Sequence, residues 1–452
     1  MARKFTTPDY ESTLDIDIKI GDSVPPEHLA RFIVDIVAQL DLSEIYNEYG
    51  KLGGTPYAPQ MMVALLFYAY ATGVFSSRKI EKATYESIPF RYVAGNMNPD
   101  HATIAAFRKR FLSQLQNLFV QILLVASMMG KLKLGDISID GSKVHADASK
   151  SKAVSYKHAL KLKTQLEQEV KELFDLATKA DGQSIPEGMV VIDEIERRQE
   201  KIEQLVEAIK VIEERANVRY QEELDEHEAK MELRKAKEEE TGRKTSGRKP
   251  KSPTSGARDK DQYNFTDPDS RIMRNPTSGG FDQHYNVQVG VDHNSRLVVA
   301  YGVSDQPNDK QQAIPMLDAV PAALGRPQSA ALDNGYFSQQ NVEEIEKRGV
   351  EPYIATGREP HNQNWRVFFE GEPAPPEDDA SPIVKMAHKL RTDAGKAVYR
   401  LRKSTVEPVI GIIKEVLGFR QFSLRGLAAV LGEWSLVCTA YNLKRMHILS
   451  VQ

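Results

Sequence analysis

Apolar residues recur at helical spacing through the first quarter of the chain. Leu29, Phe32, Ile33 and Ile36 share one helix face, and Pro25-Pro26, Pro56 and Pro59 punctuate the segments, so residues from about 25 to 130 read as helical. The most apolar stretch, Met61 to Val74, is too short to span a bilayer and carries Tyr68 and Tyr70; it reads as a core helix. Asn98-Pro99-Asp100 precedes an amphipathic helix predicted over His101 to Leu115, with Arg108, Lys109 and Arg110 beside Phe107 and Phe111. Short helices ending in a basic one suit a DNA-docking module of helix-turn-helix type, against the plain alternative of a helical domain with a solvated basic face.

The period then changes. In Asp136-Ile137-Ser138-Ile139-Asp140-Gly141-Ser142, Ile137 and Ile139 fall on one face of an extended chain, which predicts a short strand ending at Asp140 before a glycine turn. Helical spacing returns over Tyr156 to Ala180, where Leu162, Leu166, Val170, Leu173 and Ala177 form a stripe, and Asp181 to Gly188 breaks it. In the next helix Ile195, Ile202, Ile209 and Ala216 lie seven apart with Leu205 and Ile212 between them, a coiled-coil seam. The two helices are expected to form an antiparallel hairpin, either an intramolecular arm or a dimerisation device. Glu222 to Glu240 is almost wholly charged, the pattern of a solvated helix or a disordered run. Thr241 to Lys260 is basic and rich in Ser, Gly and Pro, a linker that cannot bury a core.

From Gly280 the pattern is α/β. Tyr285 to Val291 alternates, an Asp-His-Asn-Ser turn follows, and Arg296 to Val303 is a second strand, together a hairpin. A helix over Gln311 to Leu324 leads to Ser329-Ala330-Ala331-Leu332-Asp333-Asn334-Gly335-Tyr336, a second buried strand ending in an aspartate before a glycine. Ser338 can cap a helix that stops at Gly349, Pro352 to Ala355 is another strand, and Gly357 to Pro382 reads as a long surface loop. Without the helical insertion, this is a mixed α/β sheet with aspartates at two strand ends.

Composition narrows the class. The 452 residues are 27% charged and 41% apolar, ordinary for a soluble protein, with a net charge of −3. Cys438 is the single cysteine and lies in an apolar run, which excludes an intrachain disulfide and a cysteine metal site. The first residues contain no apolar stretch of a signal peptide, so a soluble, reduced, cytoplasmic protein is expected.

Two neighbouring carboxylates repel and call for a cation. Without a cysteine or a paired-His motif, the oxygen-preferring Mg²⁺ or Mn²⁺ is indicated. A third ligand is sought around Tyr399-Arg400-Leu401-Arg402-Lys403-Ser404-Thr405-Val406-Glu407-Pro408. In a single helix Val406, Ile410, Ile413 and Leu417 form a buried stripe, and Arg400, Lys403, Glu407 and Lys414 share the adjacent flank. Pro408 disfavours helical geometry at Glu407 and points to Ser404 or Thr405 as the helix start; the plain reading of Glu407 is a surface ion pair.

Asp140-Gly141-Ser142, Leu332-Asp333-Asn334-Gly335-Tyr336 and Tyr399 through Glu407 to Lys414 resemble the DDE transposases of bacterial insertion sequences. The match is to the group with a ribonuclease-H-like catalytic fold and a Tyr, Arg, Glu, Lys signature around the third acidic residue. The stretch from Leu52-Gly53-Gly54-Thr55-Pro56-Tyr57 to Glu81 looks like the helical DNA-binding domain ahead of that core, and Thr266-Asp267-Pro268-Asp269-Ser270-Arg271 is similar to another of its segments. Pattern and resemblance together divide the chain into five parts: an N-terminal helical DNA-binding domain at 1–130, the first catalytic strand at 131–153, an inserted coiled-coil hairpin at 154–240, a basic linker at 241–279, and the rest of the catalytic domain at 280–452; the insertion is variable in the family, so its function does not carry over.

By the same resemblance Asp140, Asp333 and Glu407 are catalytic and hold two Mg²⁺ or Mn²⁺ ions for phosphoryl transfer. Tyr399, Arg402, Lys403 and Lys414 would contact DNA, with Arg108, Lys109 and Arg110 doing so in the N-terminal domain. Glu407 and Lys414 keep the signature's spacing. Lys403 stands where arginine is expected, Arg402 is one residue early, and Tyr399 is displaced by one. The implied partners are double-stranded DNA, as terminal inverted repeats and target, and further copies of the chain in a dimer or higher synaptic complex, with no membrane. The alternatives are a metal-dependent nuclease of the same fold without strand transfer and a catalytically silent DNA-binding regulator.

Overall fold

The computed structural model describes residues 19–50, 56–179, 190–241, 249–274, 279–357, 373–377 and 380–451. The break expected at Asp181 to Gly188, part of the basic linker and most of the 357–382 loop lie outside these residues.

The N-terminal part is helical throughout, as the spacing predicts: α1 (Leu29–Val37), α2 (Ser43–Asn47), α3 (Pro59–Ala71), α4 (Ser77–Glu86), α5 (Ile88–Val93), α6 (His101–Arg110) and α7 (Leu112–Met128). The single helix expected over His101 to Leu115 is in fact two. Asp100 caps α6 by accepting from Thr103 N at 2.9 Å, and at Phe111 the chain turns by 73° into α7. Phe111 is fully buried, packed on Phe107 and Tyr49, so the bend is fixed by an aromatic core residue rather than by proline. No single helix among the described residues is long and apolar enough to cross a membrane.

The sheet is built around β1 (Ile137–His145). On one side β5 (Phe281–Asp292) runs antiparallel to it, and the far edge of β5 pairs with both β6 (Val298–Ser304) and the short β4 (Arg271–Arg274). On the other side β7 (Ser329–Leu332) and β8 (Glu351–Ile354) follow parallel to β1. A hairpin antiparallel to the first strand, followed by two parallel strands on its opposite side, is the ribonuclease-H-like arrangement. Between the strands lie α10 (Ala313–Asp318), shorter than expected because Pro321 interrupts it, and α11 (Gln339–Lys347), capped by Ser338 Oγ.

The insertion between β1 and β4 closes on itself. A two-stranded stem, β2 (Ala153–Ser155) against β3 (Gln262–Asn264), forms its base. From the stem rise α8 (Tyr156–Lys179) and α9 (Val191–Thr241), antiparallel, with Arg198 paired to Glu169 near the tip and Tyr156 hydrogen-bonded to Glu213 near the base. Leu205, Ala208 and Ile209 pack with Ala159, Leu162 and Leu166 of α8, so this part of the heptad run faces its partner helix in the same chain. The charged run from Glu222 to Glu240 continues α9 as helix.

After β8 come α12 (Pro382–Lys389), α13 (Asp393–Gly411) and α14 (Leu427–Val451). α14 is buried along most of its length against α3, α7 and β6, so the N-terminal helices and the sheet share one hydrophobic core. Asn442 bonds both the N–H and the C=O of Val298 at 2.8 Å, and Trp434 donates to Gln288 O at 3.1 Å. The start of α14 is pinned by the Thr266–Arg271 segment. The fully buried Asp267 accepts from Tyr285 Oη at 2.9 Å and from Gly426 N at 3.1 Å, and Asp269 accepts from Leu427 N at 2.9 Å. These carboxylates satisfy N–H groups at the helix start and favour its positive end.

Asp267→Ala therefore leaves a buried phenol and a helix-start amide unsatisfied, and should lower the unfolding free energy by about 2–3 kcal/mol in urea titrations. In a Tyr285→Phe background the cost should be smaller, because one of the stranded partners is gone. Equal costs in both backgrounds would refute the pairing as the cause.

Candidate active site

Asp140 lies inside β1, not at its end. The strand continues through Gly141 to His145, paired with β5 from Ile137↔Asp292 to His145↔His284. The glycine turn expected after Asp140 is thus a strand position, and Gly141 is required by crowding: a Cβ there would sit 2.8 Å from Asp309 Oδ1 and still closer to the Gln288 amide. The parallel register Ile139↔Leu332 then makes Asp333, the first residue past β7, the neighbour of Asp140. Asp333 Oδ1 accepts from Gly335 N at 2.7 Å and caps a short 3₁₀ turn over Asn334–Tyr336.

Glu407 comes from α13, which starts at Asp393 under a Thr392 cap and runs straight through Pro408. The start expected at Ser404 or Thr405 is therefore incorrect. Ser404, whose carbonyl loses its helical donor to Pro408, is exposed and can be solvated instead. The buried face of α13 is Arg402, Thr405, Val406 and Val409, continued by Ile413 and Leu417 after Gly411, and it packs on β1, β5, β7 and β8.

Arg402 is the surprise of that face. Its side chain is 10% exposed, and it donates Nη1 to Asp140 Oδ2 at 2.8 Å and Nη2 to Glu407 Oε1 at 3.1 Å. Its buried Nε has no hydrogen-bond partner among the described residues, and its guanidinium lies 5.9 Å from the centre of the Tyr399 ring. Strand, strand end and helix thus deliver three acidic side chains to one buried cation. Burial raises the Asp140 carboxyl to about 6, with repulsion from Asp333 and Glu407 added and with Arg402 and the Gly141 N–H opposing. Burial also raises Asp333, which Asp309 pushes further up while Gly335 N–H and Arg402 hold it down.

These oxygen donors suit a hard divalent cation, and a guanidinium already stands in for one. Among the described residues no three His, Cys, Asp or Glu side chains converge closely enough to hold a metal as they stand, because Arg402 lies between them.

The other predicted contact residues are scattered. Lys414, in the wider π-helical turn Ile412–Val416, gives its Nζ to Ser142 Oγ and Lys143 O, both at 2.9 Å, and so braces β1 next to Asp140. Lys403 is exposed on α13. Arg108 points inward: it is 8% exposed and bonds Tyr70 Oη at 2.8 Å and Phe75 O at 3.2 Å, so its charge supports the helical core. Lys109 is exposed, and the exposed Arg110 stacks over Tyr49 and Phe111.

Sequence reasoning passed over Asp309. It lies in the polar loop between β6 and α10, and Asn286 Nδ2 and Gln288 Nε2 donate to its Oδ1 at 2.6 and 2.7 Å. The faint signal was two amides, Asn286 and Gln288, on the face of β5 opposite Val287 and Val289.

Residues 18–110 match a family model described as Transposase domain (DUF772), and residues 260–443 match Transposase DDE domain. The first match covers α1 to α6, and the second contains Asp333 and Glu407, with the matches together spanning more than half of the chain. No curated protein and no solved structure matches the chain significantly.

Because the folded Asp140 binds its proton more tightly than an unfolded aspartate at 3.8, its contribution to stability is complete below that value and is lost as pH rises through about 6. At about pH 7.5 this costs about 3 kcal/mol. Without divalent ions, Asp140→Asn should therefore be more stable than the parent at that pH, by up to this amount, and the advantage should vanish near pH 4. Urea titrations in a chelator at both pH values measure it; a less stable Asn variant at the higher pH would contradict the account.

Proposed function

Since the chain belongs to the DDE transposases of insertion sequences, we propose that it cleaves and joins the ends of its element by in-line phosphoryl transfer at Asp140, Asp333 and Glu407. The observation that carries this reading is the convergence of the three carboxylates on Arg402. Acidic side chains from a central strand, a neighbouring strand end and a separate helix are gathered at a cost in desolvation. That cost makes sense where a stronger cation is to be bound.

Two Mg²⁺ or Mn²⁺ ions at these carboxylates would activate the attacking oxygen and neutralise the leaving one. Asp140 and Asp333 form the rigid half of the site, because the parallel register of β1 and β7 fixes their spacing. Glu407, with its side chain 48% exposed, is the half that can close from the helix side. Arg402, which bonds Asp140 and Glu407, is the group that a bound cation would replace at these carboxylates, and its guanidinium would suit a DNA phosphate. Lys414 holds β1 against the helical segment and so keeps Asp140 aimed.

The DNA ends would dock on the N-terminal helices, with Lys109 and Arg110 as exposed cations there and Tyr399 and Lys403 on the helix that carries Glu407. Joining two ends calls for a synaptic complex of at least two copies, acting on DNA in the nucleoid.

Asp140→Asn, Asp333→Asn and Glu407→Gln should each reduce Mg²⁺-dependent cleavage of labelled terminal-repeat DNA by more than about 100-fold, beyond what loss of an outer-shell residue costs, while gel-shift affinity for the same DNA stays unchanged. Cleavage without joined product would make the protein a nuclease. Robust cleavage by any of the three variants would sink the assignment.

A further inference from the structure

We propose that Asp309 is a fourth carboxylate of the catalytic centre, held ready beside the two aspartates and offering its free face to the divalent ions. The inference rests on the reading of the Asp140–Asp333–Glu407 site given above, and it concerns a residue that no acidic motif marks.

The placement is specific. Both amide donors, Asn286 and Gln288, approach the same oxygen, Oδ1, and they are themselves buried and fixed. Gln288 Nε2 also reaches Asn286 Oδ1 at 3.2 Å, Gln288 Oε1 accepts from the buried Tyr336 hydroxyl, and the Asn286 amide reaches Gln306 O at 3.1 Å. Tyr336 is on the turn that Asp333 caps, so this one network ties Asp309 to the Asp333 loop. The network also clamps the carboxylate in one orientation and turns Oδ2 toward Gly335.

Two glycines make room for it. A Cβ at Gly141, directly after Asp140, would lie 2.8 Å from Asp309 Oδ1, and one at Gly335, two residues after Asp333, would lie 3.7 Å from Asp309 Oδ2. The carboxylate therefore sits in the gap between the backbones that carry both aspartates. Its charge acts on Asp333, Tyr336 and Lys143, which border that gap.

A carboxylate needed only for packing would be attracted by Lys143 and repelled by Asp333, which stands at the other side of the gap. An asparagine could accept the same two hydrogen bonds through its oxygen without that repulsion. Retaining the charge in this place is explained if a divalent cation draws on it.

The test uses the full chain without DNA. Fe²⁺ with ascorbate and peroxide cuts protein backbone next to bound metal, and the cut sites are mapped by mass spectrometry. Cuts are expected around Asp140, around Asp333 and in the 306–311 loop, and Mg²⁺ should suppress all three together. Absence of the loop cut while the other two appear would overturn the proposal, with no variant needed.

In parallel, Mn²⁺ binding read by electron paramagnetic resonance should weaken by about 10-fold or more in Asp309→Asn, whose hydrogen bonds to Asn286 and Gln288 are preserved. Unchanged Mn²⁺ binding in Asp309→Asn beside weakened binding in Asp140→Asn would make Asp309 a packing residue. Unchanged binding in both variants would place the ions elsewhere, and so defeat the reading of the site along with the proposal.

Discussion

The acidic site proposed for catalysis depends on one buried guanidinium. Arg402 occupies the point where a strand, a strand end and a helix press three carboxylates together, and it bonds two of them directly. Without a cation there, the site would be an uncompensated patch of buried negative charge, which a fold of ordinary stability could not carry cheaply. The arginine therefore serves the unloaded protein as counter-ion and, in the proposed reaction, yields that role to a stronger one.

The scaffold makes this crowding tolerable. The parallel pairing of β1 with β7 sets Asp140 and Asp333 side by side, and α13 lies across the same strands to bring up Glu407 and Arg402. Behind the sheet, α14 fills the space between β6 and the N-terminal helices with a buried surface in which Glu433, Ser435, Thr439 and Asn442 interrupt the apolar residues. Its first turn is tied by Asp267 and Asp269 to Tyr285 of β5 and to the segment that enters the sheet. The N-terminal helices and the sheet therefore share one core.

The insertion has a packing of its own. The β2–β3 stem closes it, α8 and α9 bury a seam against each other, and Arg215 of α9 ties it to Pro268 and Asp269 on the way into β4. A 51-residue α9 is about 75 Å long at the usual rise of 1.5 Å per residue, enough to reach well beyond the catalytic body. Such an arm adds reach without changing the register on which the carboxylates depend.

Local patterns were sufficient for several elements. Alternation marked β5 and β6, the Ile137/Ile139 pair marked β1, and the heptad run marked the hairpin, because side-chain periodicity is a property of the local chain. Asp140 and Asp333 drew attention through the glycines that follow them, and Glu407 through the family signature around it, while their meeting in space follows from the β1–β7 register and the lie of α13. Other features came only from packing between distant segments. Asp140 is mid-strand because β5 extends the pairing past it to His145. Arg108, which reads as a surface cation, turns inward because Tyr70 and Phe75 offer it partners more than thirty residues away. Arg402 looked like a DNA contact, and its place between Asp140 and Glu407 is decided by how α13 lies on the sheet. Asp309 had no motif at all, since its role follows from two amides on another strand and two glycines on two others segments of chain. Sequence determined which charges the protein carries; tertiary structure decided which of them face one another.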